Sequence, residues 1–287
     1  KGTFETITKN KHTSDLLEHN KVLYSVSLDG SLIKSTDNGL TWGEREPDGN
    51  LDGNILKLKN GKILSVKNRI ANPNADGTYM DRAYISSDGM LTWEGPYNVE
   101  PEWKTRDTMN GKITELTSGR VVFCAGDADI LESGDVEDTG GLRVYYTDDS
   151  GKTWIPSETP ITYRGCGINV QEGKVIELSD GTLKLYCRTD RGFLYETTSS
   201  DSGKTWDLNL KPSQFISVLC AFNVERDPYT GWHYAIWTYE NTNERNKIQH
   251  PRQRIALAVS KDDTKSFEYV MEVDDWRANT DRFMNAG

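Results

Sequence analysis

The sequence predicts an all-β fold, a β-propeller of four-stranded antiparallel blades, and three observations carry that prediction. An aspartate-centred box recurs five times, a glycine-turned hairpin stands ahead of the boxes, and the two alternate with a period of about fifty to sixty residues.

The boxes read Ser35-Thr-Asp37-Asn-Gly39-Leu-Thr41-Trp42, Ser86-Ser-Asp88-Gly-Met-Leu-Thr92-Trp93, Thr147-Asp-Asp149-Ser-Gly151-Lys-Thr153-Trp154 and Ser199-Ser-Asp201-Ser-Gly203-Lys-Thr205-Trp206, with a degraded fifth copy, Ser260-Lys-Asp262-Asp-Thr264-Lys-Ser266-Phe267. Successive aspartates are 51, 61, 52 and 61 residues apart. An aspartate can accept hydrogen bonds from the backbone of a tight turn, glycine supplies a positive φ, and a terminal aromatic ring anchors the turn by packing inward. The motif is therefore a fastener between strands. A calcium loop would need a bidentate glutamate further along, and none follows at that spacing.

The hairpins are Ile55 to Val66, Ile113 to Phe123 and Val175 to Leu185, turning at Gly61, Gly119 and Gly181. Looser versions run from Leu17 to Ser25 and from Phe222 to Trp237. Three strands, a box and a fourth strand make one blade, giving blades at about 15–48, 52–98, 108–158, 170–210 and 216–272 in a single domain, 1–287. The expectation is that five blades close the ring or that a sixth follows Gly287.

Composition narrows the function. Apolar residues make up 35% of the 287, and no uncharged apolar run approaches the roughly 18 residues a bilayer requires, so no membrane role is expected. The net charge of −10, with no clustered basic face, argues against nucleic acid. Cys124, Cys166, Cys187 and Cys220 lie far apart with no histidine at metal spacing and read as buried free thiols, so neither metal nor cofactor is expected. No signal peptide is visible within the chain, and a secreted or cell-surface location is favoured.

Propeller ligands gather where innermost strands begin at one end of the channel, and the repeat supplies the register. Nine positions before the three hairpin glycines stand Asp52, Asn110 and Glu172, each followed by glycine. Antiparallel pairing returns Arg188, at the far end of its hairpin, to Glu172. Arg69 holds the matching hairpin end in the second repeat, and Arg254 begins the strand entering the fifth box. A carboxylate beside a guanidinium reads either as a structural ion pair or as half of a polar site.

The stretch Gln171 to Trp206, Q-E-G-K-V-I-E-L-S-D-G-T-L-K-L-Y-C-R-T-D ending in S-S-D-S-G-K-T-W, resembles the bacterial sialidases and their Asp-box relatives. The resemblance implies an exo-glycosidase in which three arginines clamp a sugar carboxylate, an aspartate serves as acid/base, and a glutamate activates a tyrosine nucleophile, a departure from the two-carboxylate scheme. It matches Glu172 to the glutamate, Arg188 to the second arginine and Arg254 to the third, and leaves Asp76 or Asp81 as acid/base. Two family features are missing. Leu51-Asp52-Gly53-Asn54 replaces the motif carrying the first arginine, and no tyrosine stands at the nucleophile's place, Tyr239 being the nearest.

Two functions follow. One is a sialidase-like glycoside hydrolase acting on the terminal sugar of a glycan. The other is a non-catalytic glycan-binding propeller, such as the head of an adhesin or phage fibre, reading sugars through aromatic platforms such as Trp103, Trp232, Trp237, Tyr239 and Trp276. A protein-interaction propeller is the third and weakest reading.

Overall fold

The computed structural model describes residues 15–27, 30–47, 51, 54–67, 80–99, 112–126, 141–239 and 254–275. Among them the fold is all-β apart from one four-residue helix, Tyr163–Cys166. No helix among the described residues is long and apolar enough to cross a membrane. The chain divides into two compact units, Lys1–Phe123 with Tyr145–Pro156, and Cys124–Val144 with Ser157–Gly287.

The first sheet runs in order β1 (Asp15–His19), β2 (Val22–Val26), β3 (Ser31–Ser35), β4 (Glu46–Pro47). The second repeats it with β5 (Ile55–Lys57), β6 (Ile63–Lys67), β7 (Arg82–Ser86) and β8 (Glu94–Asn98). The third has β9 (Ile113–Glu115), β10 (Val121–Gly126), β11 (Gly141–Thr147) and β12 (Ile155–Pro156), with β13 (Ile161–Thr162) also pairing β11. Then come β14 (Val170–Glu177), β15 (Leu183–Thr189), β16 (Phe193–Ser199), β17 (Lys211–Arg226), β18 (His233–Tyr239), β19 (Arg254–Ser260) and β20 (Glu268–Asp275), hydrogen-bonded in that order as one seven-stranded sheet.

That sheet is two blades sharing a strand. Lys211 to Ile216 pairs with β16 as the fourth strand of one blade, and Ser217 to Arg226 pairs with β18 as the first strand of the next. The predicted four-stranded antiparallel unit thus recurs, and its turns recur in detail. Leu58 N–H donates to Lys62 O and Gly61 N–H to Leu58 O, and the same two bonds close Leu116 to Arg120 and Leu178 to Thr182. Gly61, Gly119 and Gly181 sit at φ 85 to 86, as a type I turn followed by a left-handed residue requires.

Each box folds as its chemistry suggests. In the first, the Ser35 hydroxyl and the Thr41 hydroxyl and N–H donate to the Asp37 carboxylate, while Gly39 N–H donates to Ser35 Oγ. Two consecutive residues after each aspartate have positive φ: 38–39, 89–90, 150–151, 202–203 and 263–264. The Thr41 hydroxyl, then its N–H and the Ser35 hydroxyl, hold Asp37 at a pKa of about 2, and Asp88 and Asp262 are held there in the same way. At Asp201 partial burial pushes the pKa upward, but bonds from Thr205 and Ser199 together outweigh it and bring it to about 2. The box aromatics were expected to be buried. Trp154 and Trp206 are, whereas Trp42, Trp93 and Phe267 keep an edge in solvent.

The core lies between neighbouring blades. In the first unit Leu17, Val26 and Leu32 meet Leu51, Ile55 and Ile63, and in the second Tyr186 and Phe215 meet Phe222 and Trp237. A contact repeats beside it, hydrogen-bonded in two cases, from the hairpin turn of one blade to the residue after the next box aspartate. His19 lies against Gly89, the Asn60 amide donates to Ser150 Oγ at 2.9 Å, and Ser179 gives its N–H and hydroxyl to Asp263 at 3.0 and 2.6 Å.

Candidate functional site

Of the residues singled out from the sequence, Asp52, Arg69, Asp76 and Asn110 lie outside the described residues. Glu172, Arg188, Arg254 and Trp237 fall in the second unit, and Asp81 in the first.

Glu172 is an extra residue in β14. Gln171 pairs with Arg188 and Gly173 with Cys187, so the strand bulges at Glu172, whose φ is +39. A side chain other than glycine holds such a φ only when its surroundings enforce it, at about 1–3 kcal/mol. Two contacts here do so. Arg188 Nη1 donates to Glu172 Oε2 at 2.8 Å, with the two side chains only 14% and 12% exposed. On the other face Gly173 is pressed against buried neighbours, and a Cβ there would stand 2.3 Å from Cys124 Sγ. The predicted pairing of the hairpin ends is therefore present, with the carboxylate thrown out of strand register toward the guanidinium.

Arg188 does not sit on the outer edge of its blade. Its strand β15 lies between β14 and β16, and its Nε is buried and donates to no described atom. Arg254, 15% exposed at the start of β19, lies 5.1 Å over the Tyr239 ring and 3.9 Å from Glu272. Trp237 is largely buried, gives its indole N–H to Ile216 O at 3.0 Å, and meets Phe215 and Tyr239 at centroid distances of 4.9 and 6.2 Å. Asp81, just ahead of β7, is buried, and its carbonyl accepts the Val99 N–H at 3.0 Å.

Two residues near the pair were missed. Gln171 stands directly opposite Arg188, and Asn169, one residue ahead of β14, has a buried Oδ1 without a partner among the described atoms. The signal available was Gly173, because a glycine inside a strand pattern marks a bulge or a close backbone approach. Deeper in the same strand, buried Lys174 pairs with Glu225 of β17 at 2.6 Å. The thiols behave as free and structural. Burial pushes Cys124 to about 12 and Cys187 well above its ordinary value, and Cys166 is raised too. No group of metal-binding side chains occurs among the described residues.

Repeated four-stranded antiparallel sheets, each fastened by the same carboxylate turn, define a β-propeller-like, Asp-box repeat protein. The sequence profile described as BNR repeat-like domain matches residues 55–279, and the chain belongs to that family. A sialidase of Micromonospora viridifaciens is 25% identical over 204 residues, 60% of this chain and 30% of that protein. An anhydrosialidase of Macrobdella decora is 38% identical over 65 residues, 23% of this chain and 8% of that protein. The chain thus spans less than a third of the length of either relative. Among solved structures, the Hadza microbial sialidase Hz136 shares the fold at a TM-score of 0.64 and 18% identity, covering 92% of this chain and 58% of that one.

Proposed function

We propose that the chain is a sialidase-like glycoside hydrolase acting on the terminal sugar of a glycan, with Glu172 and Arg188 at the centre of its site. The observation that carries the reading is the strained bulge. Backbone strain concentrates where a side chain must be aimed, and here it aims a carboxylate at a guanidinium at the end of a hairpin. The two relatives named above, described as a sialidase and an anhydrosialidase, support the same class.

In this reading Glu172 is the catalytic carboxylate, and Arg188 holds its orientation through the 2.8 Å hydrogen bond. One Arg188 nitrogen is committed to Glu172. The planar fork of the guanidinium, with its buried Nε, can still meet an oxygen of the sugar. Arg254 is the second cationic contact. By sequence the acid/base is Asp81 or Asp76, and Asp52, Arg69, Asn110 and Trp237 are the further sugar-contact candidates. A sugar acid would take Arg188 and Arg254 at its carboxylate, and Asp52, at the place of the first arginine, would weaken that clamp.

The test is hydrolysis of 4-methylumbelliferyl glycosides, acidic and neutral, by the wild type and by Glu172→Gln, with calorimetric titration of a sugar acid and its methyl ester against Arg188→Lys. Glu172→Gln should lower kcat/KM by about a hundredfold or more. Arg188→Lys keeps the charge but loses the fork, so the acid should lose more affinity than the ester. Release from none of the glycosides by the wild type would overturn the enzyme reading. Equal loss for acid and ester would overturn the carboxylate clamp.

A further inference from the structure

The fifth box is the most degraded of the five, and two of its changes coincide with an opening beside it. Thr264 stands where three boxes have Gly39, Gly151 and Gly203, and Phe267 stands where the other boxes have tryptophan. In the first and third boxes the indole N–H donates to the box glycine carbonyl, Trp42 to Gly39 at 3.1 Å and Trp154 to Gly151 at 2.9 Å. Phe267 has no such donor. Its ring packs edge-on against Phe215 at 4.8 Å, and its backbone N–H is capped by Gln214 Oε1 at 3.1 Å.

Beside Phe267 lies a cleft of about 420 Å³, lined by Gln214, Phe215 and Ile216 of β17, Trp237 and Tyr239 of β18, Ala258 of β19, and Tyr269 of β20. None of these side chains is charged, and the aromatic ones predominate. Tyr269 is 56% exposed, while Trp237 and Ala258 are buried. An acidic or basic ligand would be desolvated here without a counter-charge from the lining. An uncharged ligand with apolar faces and hydroxyl edges suits it, the faces against the rings and the edges at the phenols and the Gln214 amide. The volume is at the low end for small-molecule sites, about 300–1,000 Å³, which favours a sugar over a peptide segment.

We propose that this cleft binds a neutral sugar residue of a glycan. The proposal stands without the catalytic reading, since of the residues named for the proposed active site only Trp237 lines the cleft, and neither Glu172 nor Arg188 does.

The experiment applies the chain to an array of immobilised neutral and acidic glycans and follows the neutral glycan bound best by calorimetry. Ala258→Leu fills the cleft, Tyr269→Ala removes an exposed wall with little risk to folding, and Phe267→Trp restores the repeat. The first two should weaken neutral-glycan binding by about five- to tenfold or more and leave release of 4-methylumbelliferone from small glycosides as in the wild type, which separates this site from the proposed active site. Retention of no neutral glycan would overturn the proposal, as would undiminished binding by both Ala258→Leu and Tyr269→Ala. Phe267→Trp raising Tm without touching affinity would likewise overturn it, marking the cleft as unfilled core.

Discussion

Replacing Gly173 by alanine should destabilise the protein through space alone. The added methyl would lie 2.3 Å from Cys124 Sγ, 2.9 Å from Leu185 Cδ1 and 3.1 Å from Leu142 Cδ1. Non-bonded heavy atoms settle at about 3.5–4.0 Å, so the sulfur contact alone must open by more than about 1 Å. All three neighbours are fully buried and have no solvent to move into. Overpacking of this kind costs about 1–3 kcal/mol, and three simultaneous clashes place it in the upper half. At about 2–4 °C per kcal/mol, Tm should fall by roughly 4–12 °C in differential scanning calorimetry. Cys124→Ala removes the nearest atom. In that background the cost of Gly173→Ala should shrink by about 1 kcal/mol or more, a coupling expected only of residues in contact. An unchanged Tm, or the same cost in both backgrounds, would refute the close approach and with it the account of why the bulge falls at Glu172.

The turn glycines make a contrasting series. A Cβ at Gly61, Gly119 or Gly181 meets nothing within 4 Å, so alanine at each should lose only the left-handed backbone penalty, about 1 kcal/mol, by denaturant unfolding. A much larger loss at one turn would reveal packing there. Acid should expose the boxes. Asp37, Asp88, Asp201 and Asp262 are depressed from 3.8 to about 2, so their stabilisation is complete above the unfolded value and drains away as pH falls toward 2. Asp262→Asn should therefore flatten the stability profile between those values, followed by circular dichroism; superimposable profiles would count against the carboxylate as fastener.

Much of the fold was legible because its signals are local. A box contains its own hydrogen-bond partners within seven residues, as Ser35 to Thr41 shows, and a hairpin turn needs only Gly61 and its neighbours. The Glu172 to Arg188 pairing was legible for the same reason, since one hairpin determines which ends meet. The left-handed φ of Glu172 was not, because it depends on Gly173 meeting Cys124, 49 residues earlier, and nothing in either residue's neighbourhood announces the other. The continuity of β17 was hidden too. Pro212 lies in the gap left between the expected blades at 170–210 and 216–272, yet it falls where the strand is only a blade's outer edge. The cleft arises where a degraded box meets a neighbouring strand, so the missing tryptophan was visible while the space beside it was not.

The shared strand bears on how the protein breathes. In β17 one unbroken run of backbone gives hydrogen bonds to β16 at one end and to β18 at the other, so fraying of either pairing loosens the strand that the other depends on. Amides along β16, β17 and β18 should therefore exchange with deuterium as one cooperative block rather than blade by blade. Arg188 and Arg254, on the strands just beyond each side of that block, would then lose their footing in the same opening event.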